Sequence, residues 1–242
     1  MEAPKYRRIV LKISGEALVG RRPFGIDFDV LRRAAAHIKA VHDWGVQMAV
    51  VIGGGNFYRG AEGEGEGVDR ITGDYMGMLA TVMNALALQS VLERMGVETR
   101  LQTALPMGPL AEPFDRREAL RHLEEGRIVI FAAGTGHPFF TTDTTAALRA
   151  AEIQADALLM AKNQVNGIYE RDPRRDPSAR KFEVMDYDLL LQLDLKVMDP
   201  AAVALSREAG IPIIVFNFEE MENLRRAVLG EPVGTIVRRV EA

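Results

Sequence analysis

Three consecutive glycines, Gly53, Gly54 and Gly55, directly follow an apolar run over residues 46–52. Such a run is typical of a buried parallel strand, because both faces of a parallel sheet are covered. Glycines at the carboxyl end of a strand leave backbone N–H groups bare, so an anionic ligand can approach them closely. This junction therefore predicts a loop that binds phosphate.

Three further loops of similar character follow predicted strands. They are Lys-Ile-Ser-Gly-Glu at 12–16, Gly-Thr-Gly-His at 134–137 and Lys-Asn-Gln-Val-Asn-Gly at 162–167. Ligands of open α/β sheets bind along the edge formed by the carboxyl ends of the strands. A tight turn explains any one glycine loop about as well, but four loops on one edge favour a binding site.

Two lysines mark the same edge. Only six of the 30 basic residues Lys and Arg are lysines, yet Lys12 and Lys162 both fall at loop-facing strand ends. A compact ammonium there suits a phosphoryl group in transfer. The alternatives are a solubilising charge on an edge strand for Lys12 and a solvated loop lysine for Lys162. Asp143 opens a predicted helix and either orients Lys12 or bound magnesium, or is only an N-cap.

Several classes of site are excluded by the motifs that the sequence lacks. It contains no Walker A motif, no Gly-x-Gly-x-x-Gly after a strand, and none of the protein-kinase motifs. Cysteine is absent, which removes disulfides and thiolate chemistry, and the four histidines show no metal-ligand spacing. Ser14 lacks the surroundings of a nucleophile elbow, so covalent catalysis is not expected.

The composition sets the class of protein. A chain of 242 residues with 48% hydrophobic residues can form one sizeable α/β domain or two small ones. The formal net charge of −4 predicts neither nucleic acid nor a membrane as partner, so any anion site must be local. The amino terminus has no apolar segment behind a basic start, and the absence of cysteine fits a reducing compartment, so we expect a cytoplasmic protein.

Short β-rich runs alternate with longer helical patterns along the chain. This alternation predicts a three-layer α/β/α fold with a central, mostly parallel, twisted sheet, in a single domain over residues 1–242. The predicted strands lie near 7–13, 46–52, 97–101, 127–132, 157–160, 213–216 and 235–238. The predicted helices lie near 27–44, 74–95, 115–125, 143–153, 199–209 and 219–229, with Asp74, Asp115 and Asp143 at or near N-caps. Residues 62–67, which alternate Glu and Gly, are typical of a mobile acidic loop.

The helix predicted from 74 carries no charge over residues 75–92. That length approaches a membrane span, but the polar residues Thr81, Asn84 and Gln89 within it favour a helix of a soluble protein. Apolar side chains occupy most of its faces, so a single core cannot cover them all. We expect its second face to meet another subunit.

Five sequence blocks together resemble the bacterial uridylate kinases of the amino-acid kinase family. The blocks are residues 12–16, 53–56 with Arg59 and Gly60, 73–78, 134–143 and 196–199. The first two are shared across the wider family, whose members phosphorylate carboxylates, carbamate and phosphates. The Gly-Asp-Tyr-Met-Gly-Met and Gly-Thr-Gly-His-Pro-Phe-Phe-Thr-Thr-Asp blocks resemble the uridylate enzymes alone, and the resemblance runs through nearly the whole chain.

The resemblance implies transfer of the γ-phosphoryl group of ATP to UMP, giving UDP and ADP in pyrimidine nucleotide synthesis. From the chemistry of these residues we expect catalytic roles for Lys12, Lys162 and Asp143, with Mg²⁺ brought in by ATP rather than held in a protein cage. The implied ATP-binding residues are Lys12, Ile13, Ser14, Gly15, Gly55, Arg59, Asn163, Tyr169 and Asp172. The implied UMP-binding residues are Gly54, Asp74, Thr135, Gly136, His137, Pro138, Phe139, Phe140, Thr141 and Thr142.

The resemblance also implies a homohexamer that GTP activates and UTP inhibits. The residues that match effector-linked positions are Gly20, Arg21, Arg22, Pro23, Phe24, Gly25, Arg100 and Arg127. The chain departs from the family pattern at residues 164–167, where Gln-Val-Asn-Gly stands in place of Lys-Val-Asp-Gly, so two charges are missing beside the nucleotide. His137 stands where asparagine is frequent.

Two other functions remain open at this stage. One is a kinase of the same fold that acts on an amino acid or carbamate, and the other is a non-catalytic nucleotide-binding protein used for sensing or storage. Asp74 and the block at 135–142 favour UMP over an amino acid or carbamate. Lys12 and Asp143 weigh against a protein without catalysis.

Overall fold

Most strands of the chain belong to one large sheet. The computed structural model describes residues 3–58, 67–195, 197–220 and 222–240. The strands are β1 (Arg8–Ile13), β2 (Gln47–Ile52), β3 (Thr99–Thr103), β4 (Glu112–Pro113), β5 (Ile128–Ala132), β6 (Ala157–Lys162), β7 (Ile168–Tyr169), β8 (Lys181–Phe182), β9 (Val184–Met185), β10 (Ile213–Asn217) and β11 (Thr235–Val237).

The described residues form a nine-stranded sheet in the order β4-β3-β5-β2-β1-β6-β10-β11-β9, and β7 and β8 form a separate ribbon. Every neighbouring pair in the large sheet is parallel except β10 and β11. The central strands are buried along nearly their whole length, as expected when helices cover both faces. The prediction of a mostly parallel sheet is confirmed.

Helices fill the connections between these strands. They are α1 (Phe28–His42), α2 (Arg70–Arg94), α3 (Arg116–Glu124), α4 (Thr142–Glu152), α5 (Tyr187–Gln192), α6 (Pro200–Ala209) and α7 (Glu222–Leu229). Two single 3₁₀ turns, Gly15–Leu18 and Gly108–Leu110, follow β1 and β3.

The core lies in two layers, one on each face of the sheet. Alternate residues of β1 point to opposite sides, so Ile9 and Leu11 join one cluster and Val10 joins the other. The apolar faces of α1, α2 and α7 cover the first side, and those of α3, α4, α5 and α6 cover the second. The three-layer α/β/α arrangement is therefore confirmed.

The predicted start of α2 is wrong. The N-cap is Asp69, whose carboxylate accepts hydrogen bonds from the backbone N–H of Thr72 at 3.1 Å and from its hydroxyl at 2.6 Å. The helix therefore begins at Arg70, and Asp74 lies in its second turn rather than at its cap. There Asp74 accepts from Arg70 at 3.0 Å.

Asp143 lies near the N-cap of α4, as predicted, but the cap itself is Thr141, whereas Asp115 is the cap of α3. The hydroxyl of Thr141 accepts from the backbone N–H of Thr144 at 3.3 Å and so caps α4. Asp143 thus lies inside the first turn, with its carboxylate free to pair elsewhere. Asp115 caps α3 by accepting from the N–H groups of the next turn.

The remaining differences concern short elements. Strand β3 lies two residues later than predicted, and β4, β7, β8, β9 and α5 were not predicted. Two-residue strands and a helix of six residues are too short to show a hydrophobic period. Residues 62–66, most of the predicted acidic loop, lie outside the described residues.

Helix α2 is long and apolar enough to cross a membrane by length and composition alone. A helix that packs in a protein core meets the same two criteria. Its side chains Leu88 and Leu92 are fully buried and belong to the cluster beneath the sheet. These contacts are those of a core helix.

A glycine before β11 provides a test of the packing. Gly210 and Gly234 have similar φ, +67° and +61°. A Cβ added to Gly210 would meet nothing within 4 Å. A Cβ added to Gly234 would lie 1.8 Å from the carbonyl oxygen of Val215. We expect Gly210→Ala to lower the free energy of unfolding by about 1 kcal/mol. Gly234→Ala should lower it by at least about 3 kcal/mol, because backbone must also move. Urea denaturation measures both, and equal losses would contradict the packing at Gly234.

Candidate active site

A buried ion cluster lies at the carboxyl edge of the sheet. The Nζ of Lys12 lies 2.7 Å from Asp143 Oδ1, and the Nζ of Lys162 lies 3.2 Å from Asp143 Oδ2. Lys12 comes from β1, Lys162 is the last residue of β6, and Asp143 is in the first turn of α4. Because β1 lies between β2 and β6, Lys12 is not on an edge strand. Asp143 is close enough to orient the ammonium group of Lys12.

Burial and charge act in opposite directions on this cluster. Burial raises the pKa of Asp143, but the positive charges of Lys12 and Lys162 together lower it by more than burial raises it. The pKa therefore falls from 3.8 to about 2. Burial lowers the pKa of Lys162 below its usual value, although the charge of Asp143 opposes this effect. Two ammonium groups against one carboxylate leave an excess positive charge, which favours the binding of an anion.

The glycines around the cluster allow backbone segments to pack against one another. A Cβ on Gly15 would lie 2.5 Å from the carbonyl oxygen of Gly53 and 2.8 Å from the nitrogen of Gly55. A Cβ on Gly54 would lie 2.6 Å from the carbonyl oxygen of Gly77 in α2. The space beside Gly54 is therefore occupied by a helix, so close packing requires this glycine whatever ligand it meets.

Two cavities contain residues of the predicted site. The first cavity, of about 690 Å³, is lined by most of the residues expected to bind ATP. The expected ATP-binding residues that line it are Lys12, Ser14, Asn163, Tyr169 and Asp172, and Lys162, for which a catalytic role is expected, lines it as well. Ile13 is buried in β1, and its carbonyl oxygen accepts from the N–H of Gly53 at 2.9 Å. Arg59 lies outside the described residues.

Two arginines that were not predicted, Arg171 and Arg174, also line this cavity. Arg174 donates to Asp172 at 3.1 Å, and Arg171 pairs with Asp176 at 2.8 Å. The sequence signal was the run of three arginines within residues 171–175, which is typical of a site that meets polyphosphate.

The second cavity, of about 540 Å³, is lined by some of the residues expected to bind UMP. It is lined by Thr135, His137 and Phe140, and also by Thr144 and Arg149, which were not predicted. The side chain of Arg149 is 5% exposed and pairs with Glu152. Its position in α4, behind the expected block, gave no signal in the sequence.

Asp74 ties the block at 135–142 to α2. Its carboxylate accepts from the backbone N–H of Phe139 at 2.8 Å as well as from Arg70. Gly136 packs on Ala104, and Pro138 lies between the exposed residues His137 and Phe139. Thr141 and Thr142 continue the block into α4, and Thr142 Oγ1 would lie 3.4 Å from a Cβ on Gly53.

Asp199 supports the first turn of α4 and was not predicted as a site residue. Its Oδ2 accepts from the hydroxyls of Thr141 at 2.9 Å and Thr144 at 2.5 Å, while its Oδ1 accepts from the N–H of Ala201 at 3.1 Å. It thus joins the turn that carries Asp143 to the start of α6. Only its place in the block at 196–199 could have indicated it.

Left-handed backbone marks the same loops. Among the described non-glycine residues, five have positive φ; two of these, Phe139 and Gln164, lie in the predicted ligand loops, and a third, Ala133, directly precedes one. Ala133 is held there by its N–H, which donates to the hydroxyl of Thr81 in α2 at 2.8 Å. Such strained positions persist only when their surroundings fix them, and they concentrate at binding sites.

The residues expected to respond to effectors lie in two separate places. The loop at 20–25 lies beside the glycine loop, where the N–H of Gly25 donates to the carbonyl oxygen of Asn56 at 2.8 Å. Arg100 and Arg127 lie at the amino ends of β3 and β5, on the opposite edge of the sheet. The side chain of Arg127 pairs with Glu98 at 2.9 Å.

The fold and the ion cluster define an α/β protein with a positively charged site at the carboxyl edge of its sheet, and a comparison with known families identifies the class. A model of the amino acid kinase family matches residues 7–217, so the chain belongs to that family. Two similar solved structures are a UMP kinase from Bacillus anthracis, 39% identical with a TM-score of 0.94, and one from Ureaplasma parvum, 35% identical with a TM-score of 0.91.

These likenesses extend over nearly the whole chain. The Bacillus structure covers 96% of this chain and 96% of its own, and the Ureaplasma structure covers 97% and 100%. A uridylate kinase from Archaeoglobus fulgidus is 30% identical, covers 95% of this chain and 99% of its own, and has a TM-score of 0.74. The resemblance to uridylate kinases expected from the sequence blocks is confirmed.

The low pKa of Asp143 predicts how stability depends on pH. Since this pKa is lowered from 3.8 to about 2 in the folded protein, the ion cluster stabilises the fold fully above about pH 4 and less as pH falls towards 2. We expect Asp143→Asn to be less stable than wild type above pH 4, with a difference that shrinks below it. Urea denaturation at a series of pH values measures this difference.

The control for this prediction is Asp43→Asn, which removes a half-exposed carboxylate paired with Lys39. An exposed ion pair contributes little, so this variant should change the free energy of unfolding by less than about 1 kcal/mol. A stability difference for Asp143→Asn that stays constant from pH 6 to pH 2.5 would contradict the assigned pKa.

Proposed function

We propose that this chain is an ATP-dependent UMP kinase that transfers the γ-phosphoryl group of ATP to the phosphate of UMP. The observation that carries this proposal is the Lys12–Asp143–Lys162 cluster. Its lysines line the first cavity, and Thr144, next to Asp143 in the first turn of α4, lines the second. A donor and an acceptor nucleotide in the two cavities would meet at this cluster.

The chemistry asked of the protein is mainly electrostatic. Two polyanions must approach each other, and their repulsion has to be neutralised where little water is present. Lys12 and Lys162 supply positive charge, and Asp143 fixes the direction of both ammonium groups. Phosphoryl transfer needs little covalent work from the protein, since positioning and charge stabilisation dominate.

Magnesium fits this site as a partner of ATP rather than of a protein cage. Within the described residues, no group of three or more His, Cys, Asp or Glu side chains converges on one point. Both oxygens of Asp143 already accept from ammonium groups, so its carboxylate suits the lysines better than a metal ion. We propose that phosphate oxygens and water hold Mg²⁺, which would supply further positive charge on the phosphates.

We also propose the remaining properties implied by the family. They are a single amino-acid kinase domain over residues 1–242, a cytoplasmic location, a homohexamer, activation by GTP and inhibition by UTP. Support for assembly comes from the exposed apolar residues of α2, among them Tyr75, Leu79 and Met83, which are 40%, 50% and 46% exposed. An apolar helix face of this size favours contact with another subunit.

Removing the amine of Lys12 tests the catalytic role of the cluster. We expect Lys12→Ala to lower the turnover of UMP by on the order of 10²-fold or more, as for other single charge-stabilising donors. Release of ADP from ATP and Mg²⁺ measures the turnover. Lys39→Ala, which removes a lysine from an exposed ion pair, should keep normal turnover. Normal turnover in Lys12→Ala would refute the role.

The acceptor is tested with the same assay. UMP, CMP, aspartate, glutamate, N-acetylglutamate and carbamate are offered separately, and we expect UMP to give the fastest release of ADP. Faster release with an amino acid or carbamate would favour the related kinase, and no release above the blank with any acceptor would favour a binding protein without catalysis.

A charge on α2 tests the proposed assembly. Leu79 and Leu110 are 50% and 55% exposed, but only Leu79 lies on the apolar face of α2. We expect Leu79→Glu to reduce the mass in solution, because the interface would have to bury an unpaired carboxylate. Leu110→Glu should leave the mass unchanged. Sedimentation velocity measures both, and the same mass for the two variants would exclude this face as the interface.

A further inference from the structure

Two buried asparagines face each other between α2 and the glycine loop. Asn56 directly follows the three glycines, and Asn84 lies in the middle of α2. They are 3% and 0% exposed. Neither has been assigned a role above, although both lie within the part of the fold that supports the proposed site.

The two side chains form a closed set of hydrogen bonds. The amide of Asn56 donates to Asn84 Oδ1 at 2.9 Å, and the amide of Asn84 donates to Asn56 Oδ1 at 2.7 Å. The second N–H of Asn84 donates to the carbonyl oxygen of Gly53 at 2.7 Å, and that of Asn56 donates to the carbonyl oxygen of Gly25 at 3.0 Å. All four amide hydrogens of the pair are therefore used.

A pair of this kind specifies one arrangement of the backbone. A buried amide that loses its partner leaves polar groups unsatisfied, which costs about 1–3 kcal/mol each. Helix α2 also contributes apolar side chains to the core, among them Val82, Ala85 and Leu88. What the two amides add is a fixed position for two loop carbonyls, that of Gly53 through Asn84 and that of Gly25 through Asn56.

Other contacts show that the same face of α2 carries the rest of the site. Thr81 holds the N–H of Ala133, and Asp74 holds the N–H of Phe139. Residues 74, 77, 81 and 84 are spaced by three or four, so they lie on one side of the helix. The glycine loop and the block at 135–142 are both attached to this side.

We propose that the Asn56–Asn84 pair positions the glycine loop for phosphate binding and joins it to the loop at 20–25. Asn84 fixes the glycine loop through Gly53, and Asn56 fixes the second loop through Gly25. Neither side chain touches the reacting atoms, so both are positioning residues. This inference rests on the proposed kinase function for its kinetic consequence but not for its structural one.

Asn84→Ser tests the first arm. A serine hydroxyl is small and neutral, and it can donate to only one of the two oxygens that Asn84 serves. With the glycine loop displaced, we expect KM for ATP and for UMP to rise at least about fivefold, measured well below the melting temperature. Amides of residues 53–58 should also exchange hydrogen at least about tenfold faster than in wild type.

Asn56→Asp tests the second arm. An aspartate at 56 still accepts from Asn84, so the bond from Asn84 to Gly53 remains, but it cannot donate to Gly25. We expect faster hydrogen exchange at residues 20–27, with a smaller rise in KM than in Asn84→Ser. Should Asn56→Asp fail to fold, Asn56→Ala also removes the donor to Gly25, without a buried charge, and leaves Asn84 able to donate to Gly53.

The matched control is Gln89→Glu, on the same helix. Its amide donates to the hydroxyl of Thr99 at 3.1 Å and contacts neither loop. It should leave both KM values and the exchange of residues 53–58 unchanged. Unchanged KM values and exchange in a folded Asn84→Ser variant would overturn the inference, as would equal effects in Gln89→Glu. If wild type does not phosphorylate UMP, the proposed function fails, and hydrogen exchange alone still decides the role of the pair.

Discussion

The buried ion cluster of Lys12, Asp143 and Lys162 is the interaction on which the rest of this site depends. A lysine as buried as Lys12 is stable in its charged form only with a partner at close range, and Asp143 is that partner. The three side chains come from β1, α4 and β6, so the cluster forms only when these elements are in place. The sheet order β2-β1-β6 and the cap of α4 by Thr141 meet this requirement.

Close packing of backbone holds the loops in place, just as the ion cluster holds the two lysine side chains in place. Gly15 lies against the glycine loop, and Gly54 lies against α2, at distances that leave no room for a Cβ. The loops are thereby fixed to one another and to the helix rather than extending into solvent. A loop fixed in this way presents its N–H groups without a large loss of conformational entropy when a ligand binds.

The features of the fold that depend on burial and on the direction of the strands could be predicted from the sequence. Alternating strands and helices, the loops at strand ends and the two lysines were all found where their local patterns indicated. The partners of individual polar groups could not be predicted, because Asp199 and Thr141, or Asn84 and Gly53, are distant in sequence. The cap wrongly placed near Asp74 has the same origin, since a side chain that can cap a helix can also form an ion pair. The close approach of α2 to Gly54 likewise has no local signal.

Helix α2 combines two properties that are usually found on different elements. One side, through Asp74, Thr81 and Asn84, holds the loops of the proposed site, and the other side exposes apolar residues around Leu79. A shift of the helix caused by contact on the apolar side would displace all the attached loops together, because each is bonded directly to it. In the proposed assembly, a subunit contact that shifts this helix would therefore move the loops of the proposed site. No chain of intermediate residues is required between the two.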